Sequence, residues 1–533
     1  MTDTSGTTPS QRPETAAAVL EPARGWAIEL EKINKRFGPV HANKDIDLRV
    51  ARGTIHGIVG ENGAGKSTLM SILYGFYAAD SGTIRVAGKE EHITDSRHAL
   101  TLGIGMVHQH FMLVDNFTVL ENVILGAEDS GLLGPSLARA RGELKRLADE
   151  YDLRVDPDAL VEDISVGQQQ RVEILKALYR GAEILILDEP TGVLTPKEAD
   201  DLFRVLATLR DQGRTVILIT HKLREIMAVT DAVSVMRQGE MVATLKTSET
   251  SPEQLAELMV GRRVLLRVEK GPANPGRPLL EVANLTVADE LGVVRVKDVS
   301  FAVRAGEIVG IAGVAGNGQT ELLEAISGIV APAGGTIRIN DIPLVVKGDD
   351  GAAAARRAGL AHVPEDRQRM GLVTTFKSWE NAILGYQDDP ECGPGPMLDT
   401  GAARALAKRR MEMFDIRPPD CDLKTANFSG GNQQKIVLAR EMDRDLSVLL
   451  VGQPTRGVDI GAIEFIHNQI IKMRDAGKAI LLVSVELDEI RSLSDRILVM
   501  FDGHIVGEAD PATATESELG LMMAGIGHKE AAQ

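Results

Sequence analysis

Short apolar runs alternate along this chain with stretches whose apolar residues recur every three or four positions. Thr54–Val59, Glu183–Leu187 and Thr215–Thr220 are rich in Ile, Leu and Val and read as buried strands. Between the last two, Leu202, Val205, Leu206 and Leu209 fall at helical spacing and predict a core-facing helix. Strand and helix patterns in alternation predict an α/β fold with a parallel sheet flanked by helices. No run of eighteen or more apolar residues occurs, so no segment is expected to span a bilayer.

The pattern occurs twice. Gly82-Thr83-Ile84-Arg85 returns as Gly335-Thr336-Ile337-Arg338, an offset of 253. Glu121–Gly126 returns as Glu380–Gly385 at 259, and Ser165–Gln170 as Ser429–Gln434 at 264. A steadily growing offset indicates small insertions in the second copy. We expect a tail at 1–25, a first domain at 26–263, a Gly/Pro-rich linker at 264–278, a second domain at 279–527 and a tail at 528–533.

Composition narrows the class. The chain has 533 residues, too many for one core, and a formal net charge of −17, which opposes broad nucleic-acid binding. Cys392 and Cys421 have no metal-ligand spacing and fit a reducing compartment. The tail rich in Thr, Ser, Pro and Ala reads as disordered, and its apolar patch lacks the basic flank of a secretory signal.

The chemistry centres on Gly60-Glu61-Asn62-Gly63-Ala64-Gly65-Lys66-Ser67-Thr68, a phosphate-binding loop pattern between a strand and a helix. Its glycines let successive N–H groups point at phosphate oxygens, and the helix start adds partial positive charge. Lys66 is placed to reach the β- and γ-phosphates, and Ser67 to ligate Mg²⁺. Asp188 and Glu189 end an apolar strand. Alone they read as a solvated acidic end; downstream of a phosphate loop they read as a metal ligand and a base for the attacking water. His221 closes another strand within reach of a γ-phosphate, and the Gln109 amide is a candidate for Mg²⁺ or the water. Ser429-Gly430-Gly431-Asn432-Gln433 opens a helix and forms a second anion site with no lysine of its own.

These motifs, in this order, resemble the ATP-binding-cassette ATPases over about residues 26–525. The resemblance implies two tandem P-loop NTPase domains, each with a parallel-sheet core, an antiparallel β subdomain and a helical subdomain. It implies ATP and Mg²⁺ as cofactors, with Lys66 in Walker A, Gln109 in the Q-loop, Asp188 in Walker B, Glu189 catalytic and His221 as the switch. Phe37 takes the place of the aromatic that stacks on adenine. Ser165–Gln169 and Ser429–Gln433 are the two signatures, and Asp459 is the D-loop acid of the second copy, where the first has Thr195.

Copy two departs from the pattern at its chemistry. Gln319 replaces the loop lysine, Gly452-Gln453 replace Asp188-Glu189, Glu365 stands for Gln109 and Val485 for His221. No aromatic lies between Ala283 and Ser300. Its signature is nonetheless the fuller one, because copy one has Val166 where copy two has Gly430. Cassettes of this family pair head-to-tail, so the resemblance implies one hydrolytic site, made from the first copy's Walker motifs and the second copy's signature, and one degenerate site.

Tandem cassettes with a lapsed second copy resemble the ATPase subunits of bacterial sugar and nucleoside importers, and Gly105–Val114 with Gly316-Asn317-Gly318-Gln319 looks most like the nucleoside branch. That implies two membrane permease subunits docked at Phe117–Gly126 and Lys377–Gly385, an extracytoplasmic solute-binding protein, and a peripheral place on the cytoplasmic face of the membrane, with no nucleic acid. A soluble tandem ATPase acting on ribosomes or nucleic acid is the alternative.

Overall fold

The computed structural model describes residues 24–108, 111–127, 133–192, 194, 196–263, 270–289, 291–314, 316–346, 350–393, 397–458 and 460–525. The chain divides into two compact units, Met1–Val264 and Leu265–Gln533.

In the first unit the described strands are β1 (Trp26–Phe37), β2 (Val40–Ala51), β3 (Ile55–Val59), β4 (Ser81–Val86), β5 (Lys89–Glu91), β6 (Ile104–Val107), β7 (Ile184–Asp188), β8 (Thr215–Ile219), β9 (Ala232–Arg237) and β10 (Glu240–Lys246). The second unit repeats them as β11 (Pro278–Ala288), β12 (Val294–Arg304), β13 (Glu307–Ala312), β14 (Gly334–Ile339), β15 (Ile342–Pro343), β16 (Leu360–Val363), β17 (Val448–Gly452), β18 (Ala479–Ser484), β19 (Arg496–Phe501) and β20 (His504–Ala509). Each unit has a six-stranded sheet, ordered β10-β9-β3-β8-β7-β6 and β16-β17-β18-β13-β19-β20, which is one topology twice. All neighbours in it are parallel except the β9–β10 and β19–β20 edges. Every residue of β3, β7 and β8 is buried, as expected of parallel strands covered on both faces.

A second, four-stranded antiparallel sheet, β2-β1-β4-β5 or β12-β11-β14-β15, packs on each parallel sheet. In the first unit Ile28, Leu30, Ile46 and Leu48 from that sheet share one core with Ile58, Ile186 and Ile217. Helices Leu133–Glu150 and Val166–Tyr179 lie between β6 and β7, and Thr400–Met413 and Gly430–Met442 between β16 and β17. The α/β class with parallel core, antiparallel sheet and helical part is therefore present in both units.

The second half of the expected linker is held by the second unit. Lys270 Nζ donates to the Leu493 carbonyl at 2.9 Å, to the Ser494 carbonyl and to Asp495 at 3.0 Å. Arg474 donates to the Gly271 carbonyl at 3.0 Å. Among the described residues no helix is long and apolar enough to cross a membrane.

Candidate nucleotide site

The parallel strands of the first unit end together, and their carboxyl ends carry the predicted chemistry. The phosphate loop follows β3 and runs into helix α1 (Lys66–Leu73). Gly65 has φ +98°, and a Cβ on it would sit 2.3 Å from the Ala42 carbonyl, so only glycine fits there. A Cβ on Gly60 would meet the Met236 carbonyl at 2.3 Å. The loop is thus pressed on both sides by backbone. The Ala64 carbonyl accepts the Gly239 N–H at 3.1 Å, which ties it further to the turn after β9.

Lys66 lies back across its own loop. Its buried ammonium donates to the carbonyls of Gly60 at 2.7 Å and Glu61 at 3.1 Å. Burial lowers its pKa, while Glu189, Asp188 and Glu61 act to raise it. These carbonyls hold the charge at the place where phosphate oxygens would receive it. Asp188, at the end of β7, is 8 % exposed; burial raises its pKa and the hydrogen bond with Ser67 opposes the rise. A desolvated carboxylate beside a hydroxyl is a hard-oxygen donor pair suited to Mg²⁺.

Glu189 takes φ +48°, a left-handed conformation uncommon for a glutamate, while its N–H is fixed to the Ile219 carbonyl at 2.9 Å. That geometry turns its side chain toward His221, whose Nδ1 lies 2.9 Å from Glu189 Oε1. The hydrogen bond to His221 holds the Glu189 carboxyl below the usual carboxylate range. A carboxylate kept ionised and aimed by an imidazole can accept a proton from water.

Phe37 ends β1 and is 42 % exposed. Tyr77 makes a T-shaped contact with it, ring centroids 5.1 Å apart, and Lys35 Nζ stands 5.6 Å from its centroid. The sequence reading missed Tyr77, and it missed His108, which stacks on Phe76 at 5.5 Å. The aromatic cluster at Tyr74, Phe76 and Tyr77 was the available signal. Gln109 and Asp459 lie outside the described residues.

Both signatures begin helices. Ser165 caps α2 (Val166–Tyr179) in a reciprocal pair with Gln168, and Ser429 accepts from the N–H and side-chain amide of Asn432 at 3.4 and 2.9 Å to start the helix Gly430–Met442. Gln169 and Gln433 lie alike, each donating its amide to two backbone carbonyls of the preceding turn.

The second unit keeps the scaffold and changes the groups. Gln319, at the start of α3 (Gln319–Ile326), donates its amide to the Val314 carbonyl at 3.2 Å, the position Glu61 holds in the first loop. Gln453 takes φ +46° as Glu189 does, and its amide oxygen accepts the Val485 N–H at 3.3 Å. The loss of metal-site groups is incomplete, because Thr320 stands where Ser67 does and donates to Glu365 Oε2 at 2.5 Å. Glu365 fills the room beside Gly452: a Cβ at 452 would lie 2.6 Å from Glu365 Cγ and 2.9 Å from its backbone nitrogen.

The chain is similar to known proteins along nearly its whole length. The ABC transporter family matches residues 43–192 and again 296–456. The nucleoside import ATP-binding protein NupA of Lactococcus lactis is 47% identical over 94% of this chain and 99% of its own length. The guanosine import ATP-binding protein NupO of Bacillus subtilis is 48% identical over 95% and 99%, and a glucose import ATP-binding protein of Haloferax volcanii is 45% identical over 94% and 96%. Relatives of this kind along nearly the whole chain do not favour the reading as a ribosome or nucleic-acid ATPase. With the phosphate loop, strand-end carboxylates and two signature helices in place, the chain belongs to the ABC transporter family, as a tandem-cassette ATPase of the importer type.

Proposed function

We propose that this chain powers import of a nucleoside, hydrolysing ATP at one composite site made by the first unit's Walker motifs and the second unit's signature. The observation that supports this most is the sorting of parts. Lys66, Ser67, Asp188, Glu189 and His221 gather in the first unit, and the second unit has neutral or aliphatic residues in place of Lys66, Asp188, Glu189 and His221, while keeping Ser429, Gly430 and Gly431.

In this reading the loop N–H groups from Gly60 to Thr68 and Lys66 bind the phosphates, and Phe37 offers its exposed face to adenine. Ser67, Asp188 and Gln109 would hold Mg²⁺, which supplies charge stabilisation to the triphosphate. Glu189 orients and deprotonates the water, and His221 holds Glu189 and faces the γ-phosphate. Ser429, Gly430, Gly431, Asn432, Gln433 and Asp459 complete the site.

The partners are two membrane permease subunits and, through them, an extracytoplasmic solute-binding protein, with this subunit peripheral at the cytoplasmic face. Docking falls to Phe117–Gly126 and Lys377–Gly385. Glu121 serves its own helix: its carboxylate accepts the Thr118 N–H and hydroxyl, both at 2.8 Å. Leu125, 41 % exposed, is the better probe of docking, and Leu125→Glu should release the chain from permease-bearing membranes. Nucleoside is favoured over sugar by the wording of Gly105–Val114 and by the two nucleoside-importing relatives. Uptake of labelled guanosine by the assembled transporter, competed by unlabelled nucleosides and unmoved by glucose, is the expected result; competition by glucose alone would refute the solute class.

A further inference from the structure

The path from the Q-loop position to the docking segment is longer in the second unit. Gln109 to Glu121 spans 12 positions, and Glu365 to Glu380 spans 15. The added residues fall in a turn, Arg367–Gly371, whose start is capped by Asp366 accepting the N–H groups of Gln368 and Arg369 at 2.9 and 3.0 Å. This turn lies along the signature helix. Arg367 Nη1 donates to the Arg456 carbonyl at 2.7 Å, 89 residues away. The Gln368 amide reaches the Gln433 side-chain oxygen at 3.5 Å, and Arg440 donates to the Gly371 carbonyl at 2.8 Å.

Arg367 and the Gly457 carbonyl together enclose Gly430. A Cβ on Gly430 would sit 2.5 Å from Arg367 Nη2 and 2.8 Å from the Gly457 carbonyl. Residue 430 is therefore confined from within its own unit, by the guanidinium on one side and the segment after Gln453 on the other. In the first unit, Val166 is tolerated at this place and is 40 % exposed. A glycine at 430 therefore fits this packing within the second unit.

We propose that Arg367 is a positioning residue: it fixes the Ser429–Gly431 helix start against Thr455–Gly457, so that the second unit's signature is presented in one orientation. The planar fork suits the task, since one nitrogen binds a carbonyl while the other packs on a bare Cα. Lost order here reaches the reaction through Ser429, because small displacements of a group aimed at phosphate are costly to rate. This role rests on the composite-site reading above.

The test uses the assembled transporter. Arg367→Ala should lower kcat for ATP about tenfold with KM for ATP within about twofold, since the nucleotide's own loop is untouched. Arg367→Lys, which keeps charge and one donor, should fall between. Arg369→Ala, an exposed arginine of the same turn, should behave as wild type. Hydrogen exchange of amides 429–434 and 455–458 should quicken in Arg367→Ala and in no other variant to the same degree. A wild-type kcat in Arg367→Ala, or a lowered kcat with unchanged exchange at 429–434, overturns the proposal. If Arg367→Ala does not fold, Arg367→Lys decides by the same readouts. Ser429→Ala separates the two layers: if it is silent the composite site is wrong, and if it is impaired while Arg367→Ala is not, only the role of Arg367 falls.

Discussion

Lys66 and Gln319 begin equivalent helices, lie back across equivalent loops and donate to carbonyls of those loops, yet only one carries charge. The same holds at the next strand. Glu189 and Gln453 share a left-handed backbone and equivalent N–H bonds, to the Ile219 and Val483 carbonyls at 2.9 and 2.8 Å. The fold therefore preserves the shape of the site independently of its chemistry. Loop closure, strand-end geometry and core packing come from backbone and apolar contacts that a neutral isostere satisfies. What the second unit has given up is the electrostatics: an ammonium, a buried carboxylate and a base.

The largest break in this comparison is at the base. Glu189→Gln should reduce ATP turnover by at least about a hundredfold while leaving nucleotide binding in place, because it removes the proton acceptor and keeps shape. Gln453→Ala, at the same place in the second unit, should stay within about twofold. Steady-state ATPase rates of the assembled transporter check both. A fast Glu189→Gln would dissolve the distinction between the units.

A smaller effect sharpens the role of His221. Its hydrogen bond depresses the Glu189 pKa, so the base remains ionised as pH falls until the pH reaches that lowered value. Without the bond the pKa rises, and a larger share of Glu189 is protonated at mildly acidic pH. The acid limb of kcat in His221→Ala should therefore shift to higher pH, on top of a lower plateau. An unmoved limb would mean that His221 does not tune the base.

A further effect, outside the site, concerns folding. His56, wholly buried in β3 against the Ser234 hydroxyl at 2.8 Å, has its pKa lowered by burial to about 4 from 6.5. The neutral form is the folded one, so its contribution is complete above pH 6.5 and is lost as pH falls from 6.5 toward 4. The loss amounts to roughly 3 kcal/mol. His56→Gln should flatten that part of the stability–pH curve, measured by denaturant unfolding.

Much of this was legible from residue order alone. The apolar runs ending at Val59, Leu187 and Thr220 became strands ending at Val59, Asp188 and Ile219, each within one residue, and the glycines of the first loop announce its turn. The rest depended on contacts between distant residues. The growing repeat offset shows that the second copy gained residues, but only the fold shows that they return to Arg456 and Gly430. Thr320 meeting Glu365 was hidden similarly, since the two hold separate motif positions 45 residues apart and nothing in the order of residues shows that they meet. That Glu121 caps its own helix was likewise set by contacts, the two hydrogen bonds its carboxylate accepts from Thr118.

The central claim is that the second unit's signature serves the first unit's nucleotide, and two serines test it most directly. Ser429 and Ser165 both cap signature helices, so losing either hydroxyl removes a similar local bond. A hydrogen bond to a charged phosphate is worth about 1.5–3 kcal/mol, which corresponds to a tenfold to hundredfold slowing if it is made in the transition state. ATPase rate and guanosine uptake, measured side by side in the assembled transporter, should fall by about that factor in Ser429→Ala and stay within a few-fold of wild type in Ser165→Ala. Equal losses, or a greater loss from Ser165→Ala, would contradict the account.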